Sequence, residues 1–301
     1  MSVRLRDDFI LDSPILPASG TFGYGDELID IVNLDYYGGL ITKTITLEER
    51  EGNPPERIFE TKCGMLNSIG LANIGLKRFL KEKSEFLKNL RIKKIINIAG
   101  NTEDEYLRIV EDLDKYNWID GYEINVSCPN VDKGGIQFGK DCITLSNLIS
   151  KVRKLTKKLL IVKLSPNVDD IVSIARVCND NGADAITLIN TVYGCAIDIY
   201  KKKPVINRVI AGYSGPAIKP IAIANVIRVK SEVNIPIIGV GGIFSSEDAI
   251  EFILAGASAI QIGTAHFNNP LIAEEIYNFI VEYCRKNGIL NIADLVGAAL
   301  K

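Results

Sequence analysis

Eight short apolar segments recur along the chain, and their recurrence limits the possible folds more than any other feature. They are Pro14–Leu16, Gly39–Thr42, Lys94–Ile98, Gly121–Val126, Leu159–Leu164, Ala185–Ile189, Pro236–Val240 and Ala259–Ile262, and each reads as a strand. Between them the apolar positions take helical spacing. Asp169–Asn179 places Ile171, Ile174, Ala175 and Cys178 on one stripe, and Ser246–Ala255 does the same with Ala249, Ile250 and Ile253. Asn181-Gly182 and Ala255-Gly256 stop those helices and lead straight into the next strand. About eight βα units in 301 residues predict an α/β protein, a (β/α)8 TIM barrel, which usually takes ~250 residues. An open doubly wound sheet would need G-x-G-x-x-G on its first strand-to-helix turn, and Thr21-Phe22-Gly23-Tyr24-Gly25 does not supply it. No linker or low-complexity tract divides the chain, so one domain over residues 1–301 is expected. Insertions interrupt the alternation after strands 2, 4 and 6: Leu47–Leu76, the glycine-bearing Val131–Gly139, and Thr191–Ala217. Loops as long as the first and last are usually functional in a compact domain.

Composition removes several classes of function. Lys+Arg 35 against Asp+Glu 37 leaves no basic face for nucleic acid, and no apolar run approaches the ~20 residues of a membrane span. Met1–Asp8 alternates charges and does not read as a signal peptide, so a cytoplasmic protein is expected. Cys63, Cys128, Cys142, Cys178, Cys195 and Cys284 are scattered without a CxxC pair, which argues against a disulfide framework, a metal site or an iron–sulfur centre. His266 is the only histidine, so a Ser-His-Asp triad or a multi-histidine zinc site would have to rely on it.

Barrel enzymes build their sites where strands end. Here those positions hold Ser19, Lys43, Asn97, Asn125 with Cys128, Lys163, Asn190, Gly241-Gly242 and Gly263-Thr264. A lone Cys in a tight turn is ordinarily a packing residue. Cys128 becomes a candidate because strand after strand ends in a polar residue or a glycine. Two lysines and three asparagines at the ends of apolar strands need partners, since a buried unpaired charge is costly; an anionic or electron-rich ligand is the expected one. Gly239-Val240-Gly241-Gly242 and Gly263-Thr264 fall after strands seven and eight, where barrels commonly hold a phosphate, and suggest a phosphate-tailed cofactor. Lys163, unless it snorkels to the rim, would sit well beside a flavin, whose reduced form is anionic.

These residues resemble the dihydroorotate dehydrogenases and, among them, the NAD-linked class 1B catalytic subunits. The resemblance runs essentially end to end, through Pro17-Ala18-Ser19-Gly20-Thr21-Phe22-Gly23, Lys43-Thr44, Gly64-Met65-Leu66-Asn67-Ser68-Ile69-Gly70-Leu71, Asn125-Val126-Ser127-Cys128-Pro129-Asn130, Lys163-Leu164-Ser165-Pro166-Asn167, Ser214-Gly215-Pro216-Ala217 and Gly239-Val240-Gly241-Gly242. It implies one FMN per chain, held by Ser19, Lys43, Thr44, Asn97, Asn125, Lys163, Ile189, Gly215, Gly241, Gly242, Gly263 and Thr264. It implies that dihydroorotate is held by Lys43, Asn67, Ser68, Ile69, Gly70, Leu71, Asn125, Asn190 and Thr191, and that no metal takes part. Gly134-Gly135 and Phe138-Gly139 match the class 1B lid rather than that of the fumarate-using class 1A enzymes.

On this resemblance the expected reaction oxidises (S)-dihydroorotate to orotate in pyrimidine biosynthesis: Cys128 takes the C5 proton while C6 delivers hydride to the flavin. Class 1B enzymes pass the electrons to NAD through a partner subunit carrying FAD and a 2Fe–2S cluster, for which this chain has no cysteine set. The implied assembly is a heterotetramer of two chains of each kind. Four other readings compete: a class 1A-like, fumarate-linked enzyme; a dihydrouridine synthase, which would need a basic surface and a nucleic-acid-binding appendage; a flavin hydroxy-acid oxidase using His266; and an inactive FMN-binding barrel. Trp118 reads as a packing residue, and Lys201-Lys202-Lys203 as a solvated loop.

Overall fold

The computed structural model describes residues 1–127 and 138–301. All eight expected strands form, within a residue or two of their sequence bounds: β1 Ile15–Pro17, β2 Gly39–Ile41, β3 Lys93–Ile98, β4 Gly121–Asn125, β5 Leu159–Leu164, β6 Ala185–Leu188, β7 Ile237–Val240 and β8 Ala259–Ile262. They pair in parallel in the order β1-β8-β7-β6-β5-β4-β3-β2. The Gly38 N–H donates to the Ile15 carbonyl at 2.9 Å and brings the two ends of this row together. Sequence neighbours are thus spatial neighbours around a barrel.

From β2 onward helices return the chain from the end of one strand to the start of the next, and two more follow β8. They are α1 Gly75–Asn89, α2 Glu103–Asp114, α3 Cys142–Leu155, α4 Ile171–Asp180, α5 Lys219–Lys230, α6 Ser246–Leu254, the one-turn α7 Ala265–Asn268, and α8 Ile272–Lys286. Their starts follow capping chemistry. The Thr102 hydroxyl accepts from the Glu105 N–H, and Ser245 and Asp248 form a reciprocal capping box at α6. α4 buries Ile171, Ile174, Ala175 and Cys178, the expected stripe. Burying an Ile or Leu in this way stabilises the fold by ~1.5–3 kcal/mol.

Two features close the ends of the barrel. At the start of the chain Val3–Arg6 pairs antiparallel with Phe9–Leu11 and buries Val3, Leu5, Phe9 and Leu11. Arg6 donates from this hairpin to Asp184 at 3.0 Å, just before β6, and so fastens it where strands begin. At the opposite end the first and last insertions pair with each other. Val192–Gly194, Ala211–Ser214, Gly64–Asn67 and Ile58–Thr61 form one antiparallel sheet in that order. Their crossing is too tight for side chains: a Cβ on Gly64 would lie 2.1 Å from the Ser214 carbonyl oxygen, and one on Gly215 2.5 Å from the Gly64 Cα. Most of the expected insertion after β4 lies outside the described residues; Phe138, at its end, is buried edge-on against Tyr106.

Candidate active site

A cavity of about 520 Å³ opens at the C-terminal ends of the barrel strands, between them and the four-stranded sheet. Ser19, Lys43, Thr44, Asn125, Lys163, Ile189, Gly215, Gly241, Gly242, Gly263 and Thr264 line it, as do Asn67, Ser68, Ile69, Gly70, Leu71, Asn190 and Thr191. The structure therefore gathers into one space nearly all the side chains that the sequence singled out. Cys128 lies outside the described residues, as do Gly134 and Gly135; Ser127, immediately before Cys128, lines the cavity.

Asn97 departs from its expected place. It sits within β3 rather than after it, fully buried and off the cavity lining, and its Nδ2 donates to Glu123 Oε1 at 2.6 Å. Its own Oδ1 is a buried acceptor with no hydrogen-bond partner among the described residues.

The Lys163 expectation also needs correcting. A ligand was the expected partner for this ammonium, but the protein supplies one itself. Glu123 Oε1 lies 3.9 Å from Lys163 Nζ, with Glu123 0% exposed and Lys163 5% exposed. Glu123 Oε2 accepts from the Thr187 hydroxyl at 2.8 Å and from Gln261 Nε2 at 2.5 Å, while Gln261 Oε1 accepts from Lys163 Nζ at 3.1 Å. Burial draws the Lys163 pKa down from its ordinary value, and the Glu123 charge opposes that shift. The lysine does not snorkel.

Glu123, Thr187 and Gln261 are not among the site residues expected from the sequence. One signal for Glu123 was available: residues two apart on a strand share a face, so Glu123 goes where Asn125 goes. In register, Asn97 stands opposite Glu123, and Lys163 stands opposite both Asn125 and Thr187.

The other end of the cavity is built from backbone. Gly241 and Gly242 take φ +121° and +82°, and a Cβ on Gly242 would come within 2.7 Å of the Lys219 amide nitrogen at the start of α5. The helix starts beside them are already engaged: the Ala217 N–H donates to the Cys63 carbonyl at 3.2 Å, the Ile218 N–H to the Gly215 carbonyl at 3.1 Å and the Lys219 N–H to the Pro216 carbonyl. The Thr264 hydroxyl donates to the Ser214 hydroxyl at 2.8 Å beside them. A turn of consecutive glycines with two hydroxyls beside it suits an anion such as a phosphate. His266 stays out of this cradle: its Nε2 is 2.9 Å from the Tyr37 hydroxyl, its ring is 5.0 Å from that of Phe22, and burial pushes its pKa down to about 4.

The wall formed by Ser68 and Thr191 is tied down by two asparagines to which the sequence assigned no role of their own. Asn53 Nδ2 donates to the Ser68 hydroxyl at 2.8 Å and to its carbonyl at 3.1 Å. Asn167 Nδ2 donates to the Thr191 carbonyl at 2.9 Å, and its Oδ1 accepts from the Tyr193 N–H at 2.9 Å. Asn190 Nδ2 and Asn125 Oδ1 lie 3.4 Å apart.

This arrangement, a parallel barrel with a glycine-lined cavity and a buried lysine at the C-terminal ends of its strands, is that of a barrel enzyme, and comparison places it more closely. The chain belongs to the dihydroorotate dehydrogenase family: the family model described as "Dihydroorotate dehydrogenase" matches residues 8–283. It is 48% identical over 288 residues to the "Dihydroorotate dehydrogenase B (NAD(+)), catalytic subunit" of Pelobacter propionicus, covering 96% of this chain and 95% of that one. Proteins of the same description from Geotalea uraniireducens and Desulforamulus reducens are 47% and 48% identical, over 96% and 95% of this chain and 95% and 94% of theirs. The crystal structure of the Eimeria tenella dihydroorotate dehydrogenase in complex with ferulenol superposes with a TM-score of 0.82 at 22% identity, covering 100% of this chain and 88% of that one, and has the same fold. The chain is thus an oxidoreductase of this family, and among its described residues no helix is long and apolar enough to cross a membrane.

Proposed function

We propose that this chain, acting as a single domain over residues 1–301 in the cytoplasm, oxidises dihydroorotate to orotate with one bound FMN and passes the electrons to NAD through a partner subunit. The observation that carries this reading is the pairing, in one cavity, of a backbone anion cradle with a buried lysine. Two features favour FMN as the occupant. The cradle suits its phosphate, and Lys163 suits a group that gains negative charge on reduction. When bound, FMN supplies the acceptor for the hydride that leaves C6 of the substrate.

The chain's own residues do the rest. Gly215, Gly241, Gly242, Gly263, Thr264 and Ser19 hold the phosphate tail, while Lys43, Thr44, Asn97, Asn125, Lys163 and Ile189 surround the remainder. Asn67 to Leu71, Asn190 and Thr191, with Lys43 and Asn125, bind the amide and carboxylate groups of dihydroorotate. A site made of such donors and acceptors rejects analogues that leave them unpaired. Cys128 accepts the proton from C5. Its unperturbed pKa of ~8.5 makes a thiol a weak base at neutral pH, so the rate rises with pH. The relatives' description as catalytic subunits supports a second subunit, for which we propose FAD and a 2Fe–2S cluster in a heterotetramer of two chains of each kind.

The test is anaerobic mixing of the FMN-loaded chain with dihydroorotate while flavin absorbance is followed, then separate addition of NAD and fumarate. Bleaching that neither acceptor reverses supports the reading and a missing partner subunit. Reversal by fumarate would move the chain to class 1A behaviour, and no bleaching would overturn the proposal. Cys128→Ser should slow the bleaching sharply at pH 7 and shift its optimum upward; an unchanged rate would remove Cys128 as the base.

A further inference from the structure

We infer that Glu123 is a positioning residue for the cofactor, fixing the Lys163 ammonium at the cavity floor and keeping it charged while the cofactor changes its own charge. The inference rests on the reading of the cavity as an FMN site and adds a residue that lies behind it.

The geometry argues for function over packing. Barrel interiors are ordinarily filled with branched apolar side chains. Replacing a buried ion pair by apolar residues of similar volume is often neutral or stabilising, so such a pair is a poor device for holding a barrel together. Here five of the eight strands contribute to one polar cluster: Asn97 from β3, Glu123 from β4, Lys163 from β5, Thr187 from β6 and Gln261 from β8. Of these five only Lys163 lines the cavity.

Hydrogen bonding makes the cluster directional. Glu123 accepts from Asn97, Thr187 and Gln261, as a carboxylate can. That triple acceptance fixes Gln261 with its Nε2 toward Glu123 and its Oε1 toward Lys163. Lys163 is therefore held by Gln261 and neutralised by Glu123, yet among the described residues it spends one of its three N–H donors on a protein hydrogen bond. Among the described residues around Lys163 on the barrel strands, Glu123 is the charged one; Asn97, Thr187 and Gln261 are neutral, and Lys43 shares the cavity from the end of β2. Burial works against the ammonium and Glu123 works for it. Without the carboxylate, the proton on Lys163 would be lost at a lower pH.

The test is the ratio of FMN affinities in the reduced and oxidised states, read as the flavin midpoint potential from pH 6 to 9, in the wild type, Glu123→Gln and Lys163→Met. Wild type should favour reduced FMN throughout. Lys163→Met should lose at least tenfold of that preference at every pH, about 30 mV for a two-electron couple. Glu123→Gln should resemble wild type at the acid end and fall toward Lys163→Met at the alkaline end, with a break in slope that neither of the others shows. A Glu123→Gln curve parallel to wild type across the range would overturn the inference.

Exchanging the two side chains, Glu123→Gln with Gln261→Glu, returns a carboxylate to the Lys163 side of the cluster and should remove the break. If the single variant does not fold, this double variant decides: a wild-type profile supports the inference, and a broken one overturns it. A wild-type chain that binds no FMN would instead defeat the underlying reading of the cavity.

Discussion

The two ends of the cavity solve opposite problems with opposite materials. At one end, main-chain groups approach Gly215 and Gly242 so closely that no side chain fits between them, and Gly241, also in the cavity wall, holds φ +121°. At the other, five side chains from five strands interlock around a buried charge. A backbone cradle needs little beyond correct turns and fails when a turn is disturbed. The side-chain cluster needs every partner present, because low dielectric strengthens each interaction and equally magnifies the penalty for one left unmade. The difference predicts that damage to the cluster reaches the whole barrel, whereas damage to the cradle stays local.

The hardest blow should come from removing the counter-charge altogether. Glu123→Ala leaves the Lys163 ammonium buried without its partner and should destabilise the FMN-free chain by ~3–5 kcal/mol, read by urea unfolding. A loss below about 1 kcal/mol would show that the two ends do not differ in this way.

Acid probes the cradle side, beneath which His266 lies buried. Its folded pKa of about 4 lies below its ordinary 6.5, so the unfolded chain takes up the proton first as pH falls. Stability is fully present above pH 6.5 and should decline by about 3 kcal/mol as the pH approaches 4, a fall that His266→Gln should largely abolish. Equal acid sensitivity in the two proteins, measured by thermal melts at pH 7, 5.5 and 4, would assign the decline elsewhere.

The smallest effect on stability is expected from the cradle itself. Gly242→Ala forces a side chain into φ +82° with its Cβ 2.7 Å from the Lys219 amide nitrogen, and should cost ~1–3 kcal/mol together with at least tenfold in FMN affinity. Gly263→Ala is the control, since its Cβ would find only Ala18 Cβ at 3.7 Å and the fold should not notice it. Equal melting temperatures for the two variants would mean that the tight turn carries no strain for a side chain to meet.

What the sequence disclosed follows the same division. Strands β1–β8 and the α4 stripe were legible because apolar spacing is local, and the glycine turns were legible because glycine marks them. The cluster was not. Whether Glu123 meets Lys163 depends on how β4 and β5 stand in register and on which residues the curvature of the barrel brings across from β8, and no window of sequence contains all of these. Asn97 was placed at a strand end because it is polar; in the structure it is an interior partner of Glu123. The insertions read as loops for a similar reason: Ile58–Thr61 is mostly exposed and shows no strand-like burial of its own, yet it belongs to a sheet.

That sheet has a consequence for the order in which the protein comes into being. Gly64–Asn67 takes its central neighbour from Ala211–Ser214, and the Asn67 side chain reaches the Gly212 carbonyl across 145 residues of sequence. Contacts of such separation are slow to form, because the entropy of closing the intervening chain must be met before the contact returns anything. During synthesis, the segment from Asn67 to Leu71 therefore waits for the sixth βα unit to emerge. Most of the barrel strands can associate before the wall over their mouth exists, and the cavity is completed among the last events of folding.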